Sequence, residues 1–233
     1  MKKFYTDATV VTAPGGFTVQ LDGKAIKTPL GKTLHVPTRK LAEDICAEWG
    51  AQAAEIIPAS MPIFQLTNTW IDKVKTDERA ALEQAVLAYA ETDLLCYFAD
   101  RPPALEKRQK DIWLPILSSL KKRHGIDLKT GNGIGYVKQD AGTTAAFASI
   151  LRQKDAVDFT VIQALTAPLG SIVLALAFAE GVMNAEDIFN AATVDEQYQL
   201  EKWGEDKIAR DRLNNLRRDI ETAGRFKNSA LDL

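Results

Sequence analysis

Apolar and polar positions alternate through the first 36 residues. ATVVTA (8–13), FTVQL (17–21), KAIKT (24–28) and TLHV (33–36) are short runs separated by Pro14-Gly15-Gly16, Asp22-Gly23 and Pro29-Leu30-Gly31-Lys32. Alternation of this kind puts one face of a strand on a core and the other in water, and Asp-Gly tolerates the positive φ that a two-residue hairpin turn needs. The pattern predicts three or four short antiparallel strands. Pro37-Thr38 then opens a helix to about Ala53, with Leu41, Ile45 and Trp49 as a stripe at four-residue spacing. A small sheet cannot bury its apolar face alone, and this helix can cover it. Ile56-Ile57-Pro58 is expected to add a last short strand.

From Pro62 the period becomes helical. Ile63, Thr67, Trp70 and Val74 mark one helix, and Leu82, Val86, Tyr89 and Asp93 the next. A long helix from about Ala104 to Arg123 carries Ile112, Trp113, Ile116 and Leu120, with a kink expected at Pro115. Gly125 to Asp140 reads as a loop or short hairpin. Short helices follow at about 143–153, 156–167 and 171–180; Gly181 stops the last, and Asn184 with Asp187 starts another. A final helix is expected from Thr193 to about Ala223, with Ala209, Leu213, Leu216 and Ile220 on its later apolar stripe. The fold class is therefore α+β: a small antiparallel β-rich N-terminal domain with one covering helix (1–62), then a larger all-α bundle (63–233).

Composition narrows the class. Hydrophobic residues make up 46% and charged residues 26% of the chain, the balance of an ordinary globular protein. With 29 basic against 31 acidic residues, net −2, blanket electrostatic binding of nucleic acid is excluded. Cys46 and Cys96 lie far apart in apolar helical contexts and read as buried thiols in a reducing compartment. Phe159 to Ala179 is uncharged and long enough to span a bilayer. Its Thr160, Gln163 and Thr166, and the break at Pro168-Leu169-Gly170-Ser171, favour two buried helices joined by a tight turn. MKKFYTDATVV has no apolar signal region and no transit-peptide character, so a cytoplasmic location is expected; the chain is also expected to be a monomer.

Enzyme motifs are scarce. There are two histidines, His35 and His124, too few for the usual His-rich metal site, and His124 is read as a dipole partner at a helix C-terminus. No zinc-protease, nucleophile-elbow or P-loop motif is present, and the Gly131-Asn132-Gly133-Ile134-Gly135 run has neither the spacing nor the preceding strand of a dinucleotide loop. No cofactor or metal is expected. Asp93 falls on an apolar helical face, where a carboxylate is expected to find a buried partner such as an arginine or a helix N-terminus. The densest chemistry is Thr193 to Asp206, TVDEQYQLEKWGED, with Asp195, Glu196, Glu201, Glu205 and Asp206 against Lys202. At 100° per residue Val194, Tyr198, Glu201 and Glu205 share one face, and Glu196, Leu200 and Trp203 nearly the opposite one, so acids interrupt both apolar stripes. Thr193 and Glu196 also fit a capping box, and Tyr198 and Trp203 are expected to pack. The basic stretch from Lys207 to Lys227 follows, with Asp206 to Arg210 as one expected internal pair. An acidic, aromatic-bearing helix without a catalytic partner suits protein recognition. Two other readings of these residues are open: acid–base catalysis by Asp93 with the 193–206 acids, and RNA binding by the basic end of the last helix.

GKAIKTP with TLHVPTRKLAEDICAEW, MPIFQLTNTWID, YAETDLLCY, GSIVLALAFAEG and DEQYQLEKWGED together resemble, in order and spacing, the F-type ATP synthase assembly chaperones that bind the alpha subunit of the catalytic head. The likeness runs from about residue 17 to 226, with YAETDLLCY and the YQxxxWGE pattern as its most specific parts. It implies a small β-rich domain followed by a helical one, no enzymatic activity and no use of nucleotide. It also implies a bacterial member that holds free alpha subunit and shields its beta-facing surface. By motif match the implied partner-binding acids are Asp195, Glu196, Glu201 and Glu205, with Tyr198 and Trp203 as aromatic anchors.

Overall fold

A computed structural model describes residues 1–204 and 206–232. The chain divides into two compact units, one of Met1–Arg79 with the stretch from Thr222 onward, the other Ala80–Glu221.

In the first unit β1 (Ala8–Ala13), β2 (Gly16–Leu21) and β3 (Lys24–Ala25) form an antiparallel sheet in the order β1-β2-β3. The β2–β3 turn is Asp22-Gly23, with φ of 46° and 79°, so the positive-φ tolerance of this pair is used. The Asp22 carboxylate also accepts from the Thr6 and Asp7 amides, which holds its pKa below the usual range. The predicted fourth strand is reduced to two isolated bridges, Lys27 with Thr33 and Phe17 with Val36, the latter pair exchanging backbone bonds of 2.8 and 2.9 Å. Residues 56–58 form no strand: Glu55 bridges Lys2, and Pro58–Ser60 turn into a short 3-10 segment, as a proline that cannot donate to a ladder requires.

Helix α1 (Arg39–Gly50) covers the sheet. Its Leu41, Ile45 and Trp49 are buried as the stripe predicts. Thr38 caps it, accepting from the Leu41 amide at 3.2 Å while donating to the Ser229 carbonyl at 2.5 Å. Glu48 caps α2 (Pro62–Thr69), accepting from the Ile63 and Phe64 amides at 2.8 Å each. Beyond Thr69 the turns widen over Trp70–Val74, and Ile63, Thr67, Trp70 and Val74 are all buried.

In the second unit α3 (Arg79–Leu87) ends well before Asp93, which leaves the helical path with ψ 134° and caps a 3-10 turn at Leu94–Cys96. The expected continuous helix to Asp93 does not form, because Asp93 bonds another helix instead. Tyr97–Phe98 (β4) pairs in parallel with Gly131–Asn132 (β5), so the glycine-rich loop is anchored by a two-residue ladder. Helix α4 (Pro103–His124) runs without interruption through Pro115 and ends at Gly125, φ 69°. Helix α5 (Thr143–Gln153) precedes α6 (Ala156–Leu169) and α7 (Ile172–Ala179), which pack as a buried hairpin joined by Gly170, φ 64°, and capped by Ser171. Among the described residues no helix is long and apolar enough to cross a membrane.

The chain then forms α8 (Ala185–Ala192), α9 (Val194–Trp203) and α10 (Lys207–Leu231). The single helix expected over 193–223 is thus corrected: it breaks at Gly204, whose φ of 83° and ψ of −180° lie where glycine alone is comfortable. Asp206 restarts it, its carboxylate accepting from the Ala209 amide at 3.2 Å.

Candidate functional site

The acidic segment of the second unit is held by α4, which packs on α7, α8 and α9. Trp113 fixes the α4–α8 contact by donating its indole N–H to the Ala191 carbonyl at 2.8 Å. Gln109, fully buried, accepts from the Ala99 amide at 2.7 Å and donates to the Asp195 carboxylate at 2.5 Å. Further along α9, Arg108 donates to Glu201 at 2.7 Å and reaches Gln197 at 3.5 Å. Glu196 faces Arg212 of α10 at 3.3 Å. The α9 acids are therefore individually answered by donors from α4 and α10, which the local charge pattern does not reveal.

The expected site residues divide into three groups. Tyr198 is buried beside Val194, with the Lys202 ammonium 5.6 Å from its ring centre. Asp195 and Glu196 are half-buried and engaged. Glu201 and Trp203 are open to solvent, Trp203 at 78% exposure, so the expectation that Trp203 packs is overturned. It sits in the last turn of α9, where Gly204 ends the helix before any neighbouring element covers the indole. Glu205 lies outside the described residues. The capping box is also absent: the Thr193 hydroxyl donates back to the Phe189 carbonyl and accepts from Gln197, both at 2.7 Å, leaving Glu196 free for Arg212.

Asp93 has the helix N-terminus partner expected of a buried carboxylate. Its oxygens accept from Ser171 Oγ at 2.8 and 2.9 Å, the Val173 amide at 3.1 Å and the Leu95 amide at 3.0 Å. Burial drives its pKa up to about 6, against the pull of these donors. With both oxygens enclosed, Asp93 has no open carboxylate to share with the α9 acids in acid–base chemistry. Cys96 is buried too, and burial first, then the Asp93 charge, pushes its thiol up to about 12; Cys46 is only half-buried. Both are poor nucleophiles at neutral pH.

A second ionic cluster was not foreseen from the sequence. Glu180, at the end of α7, accepts from Lys154 at 2.6 Å, Arg123 at 2.9 Å and His124 at 3.0 Å. Its side chain is 8% exposed. Burial alone would raise its pKa, but the three donors outweigh it and hold the carboxyl at about 2. His124 thus has a specific carboxylate partner as well as its place in the last turn of α4.

Similarity to known proteins puts the chain in the chaperone class. Residues 2–121 match the ATP12 chaperone protein family, and the chain belongs to it. This is the assembly-chaperone family that its motifs resemble. The crystal structure of Atp12 from Paracoccus denitrificans has the same fold, with a TM-score of 0.87, 28% identity and 98% of each chain covered. A solved protein of Agrobacterium tumefaciens gives a TM-score of 0.86 and 36% identity over 98% of this chain and 85% of its own. The mitochondrial protein atp12 of Schizosaccharomyces pombe is 22% identical over 87% of this chain and 74% of its length.

Proposed function

We propose that this chain is an ATP-independent assembly chaperone of the F-type ATP synthase in a bacterial cytoplasm. It holds the free alpha subunit and shields its beta-facing surface until the catalytic head is assembled. A lone subunit of an alternating ring exposes an apolar obligate interface that would otherwise self-associate. The observation that carries the reading is the last turns of α9, where Trp203 and Glu201 both reach solvent on nearly opposite faces of the helix while Tyr198 is buried. An exposed tryptophan and a carboxylate on one short helix suit an interface, the ring supplying area and the acid supplying register. Glu205 is added as a partner-binding acid by motif match alone. Asp195 and Glu196 act by holding α9 in place through Gln109 and Arg212.

Co-purification from lysate tests this directly: the alpha subunit is expected to be retained and the beta subunit is not. Failure to bind alpha, or to suppress its aggregation, removes the proposal. Glu201→Lys is expected to weaken capture while leaving the thermal midpoint nearly unchanged. The Arg108–Glu201 pair is exposed, at 32% and 57%, and pairs of that kind contribute roughly 0–1 kcal/mol. If Glu201→Lys unfolds the protein, Glu201 is a structural acid and not a contact.

A further inference from the structure

The three-stranded sheet of the first unit has two edges, and they are built differently. At one edge β3 is two residues long, exposed, and opens on Lys24. Shortness and an edge lysine are common guards against unwanted strand pairing. At the other edge β1 has six residues, ATVVTA, with no charge and no proline, and its register against β2 is unbroken from Ala8 to Ala13. It carries none of the guards of β3, and none of its six residues is buried.

The hydrogen bonds of β2 fix which groups of β1 face outward. Phe17 and Val19 bond away from β1: Phe17 exchanges bonds with Val36 at 2.8 and 2.9 Å, and the Val19 carbonyl accepts from the Ile26 amide at 3.0 Å. Successive residues of a strand bond to opposite sides, so Gly16, Thr18 and Gln20 are the residues that bond to β1, through their register partners Ala13, Val11 and Thr9. The amides and carbonyls of Ala8, Val10 and Thr12 therefore point to the open side, and among the described residues they have no hydrogen-bond partner. Three donors and three acceptors stand in a row about 14 Å long, at roughly 3.4 Å per residue.

We propose that this edge takes up an extended, uncharged segment of the polypeptide that the chaperone holds, as an added strand beside β1. An extended backbone presents amides and carbonyls at the two-residue alternation of Ala8, Val10 and Thr12, which a helix or a small ligand does not. The side chains of β1 are small or β-branched and uncharged, so a charged residue laid among them would lose water without gaining an ion-pair partner in the strand. A second copy of β1 meets the backbone requirement but not the area requirement. An edge of six residues, about 20 Å long and about 10 Å thick, buries roughly 400 Å² over both sides, against the ~1,000 Å² of a stable interface. A held polypeptide escapes that limit, because its contact elsewhere on the chaperone raises the local concentration of the segment. That a polypeptide is held is taken from the function proposed above; its identity as the alpha subunit is not needed.

The test uses the full chain and the N-acetylated, C-amidated peptide Thr-Val-Thr-Ala-Thr-Val, with the same peptide N-methylated at every amide between its residues, in an NMR titration of labelled protein. The N-methylated peptide keeps the side chains and loses the donors, so the parent peptide is expected to bind about tenfold tighter or more. The parent peptide should also slow hydrogen exchange at the Ala8, Val10 and Thr12 amides. Val10→Pro removes the central outward donor and no bond to β2, a change that an edge strand accommodates, and should weaken binding about fivefold or more. If Val10→Pro does not fold, Thr12→Pro near the exposed end of the strand takes its place with the same expectation. Equal binding of the two peptides, binding of neither, protection that appears away from β1, or binding unchanged by the proline variant would each overturn the proposal. So would a dimer of the chain alone in sedimentation equilibrium that Val10→Pro dissociates, since a second copy would then be the occupant. Alpha-subunit capture separates the two readings: peptide binding at β1 by a chain that does not capture alpha counts against the subunit assignment alone, and capture without peptide binding counts against the edge alone.

Discussion

Replacing Glu180 by glutamine keeps the shape of the side chain and one acceptor but removes the charge that Lys154, Arg123 and His124 all face. The carboxyl sits at about 2 instead of 4.5, on a side chain that is 8% exposed. A folded-state pKa below the unfolded one means that the ionised form is held more tightly in the fold. Its contribution is therefore fully present above pH 4.5 and disappears as pH falls toward 2. A displacement of this size is linked to about 3 kcal/mol at neutral pH, and to roughly half of that at about pH 3. Glu180→Gln should accordingly lose about 3 kcal/mol at pH 7, or about 6–12 °C of thermal midpoint for a domain of this size. The gap between variant and parent should narrow steadily as pH drops. Urea unfolding of both proteins at a series of pH values between 3 and 7 measures it. A gap below about 0.5 kcal/mol at pH 7, the scatter of an ordinary surface substitution, or one that does not change with pH, would refute the electrostatic account of the cluster.

Three further substitutions have defined outcomes. Ser171→Ala removes the N-cap of α7 and a donor to Asp93 together, and should cost about 1–3 kcal/mol in urea unfolding. The same change should move the Asp93 pKa further above about 6, seen by carboxyl-carbon NMR titration; a downward move would contradict the roles given to burial and the hydroxyl. Trp203 alone of the four tryptophans is exposed, the other three being at most 7% exposed, so Trp203→Ala should remove most of the acrylamide-quenchable fluorescence without lowering stability. Gly204→Ala should destabilise by about 1 kcal/mol or more, since alanine tolerates that backbone poorly; an unchanged unfolding midpoint would show that the break can straighten.

The charged, aromatic helix of the candidate site is legible in the sequence, and the partners of its acids are not. TVDEQYQLEKWGED announces a charged, aromatic helix, yet whether each acid is a cap, a pair or an open contact depends on residues far along the chain. Gln109 and Arg108 reach Asp195 and Glu201 from α4, and no periodicity connects positions so distant. Periodicity also treats a long amphipathic stretch as one helix. It carried 193–223 straight past Gly204, although glycine followed by Asp206 is itself a stop-and-restart pattern.

What the sequence by itself determined is local chemistry. Asp22-Gly23 made the hairpin, Thr38 began α1, the uncharged run at 159–179 became two helices because Gly170 and Ser171 interrupt it, and the motif order placed the chain in its family. These follow from backbone preferences and short-range periodicity, which any few adjacent residues carry. Tertiary structure alone decided which charges are spent and which are presented. It enclosed Asp93 with Ser171, gathered three donors on Glu180, buried Tyr198 and left Trp203 in water. Burial and long-range pairing are properties of the assembled fold, so the surface a partner can meet exists only once the helices have packed.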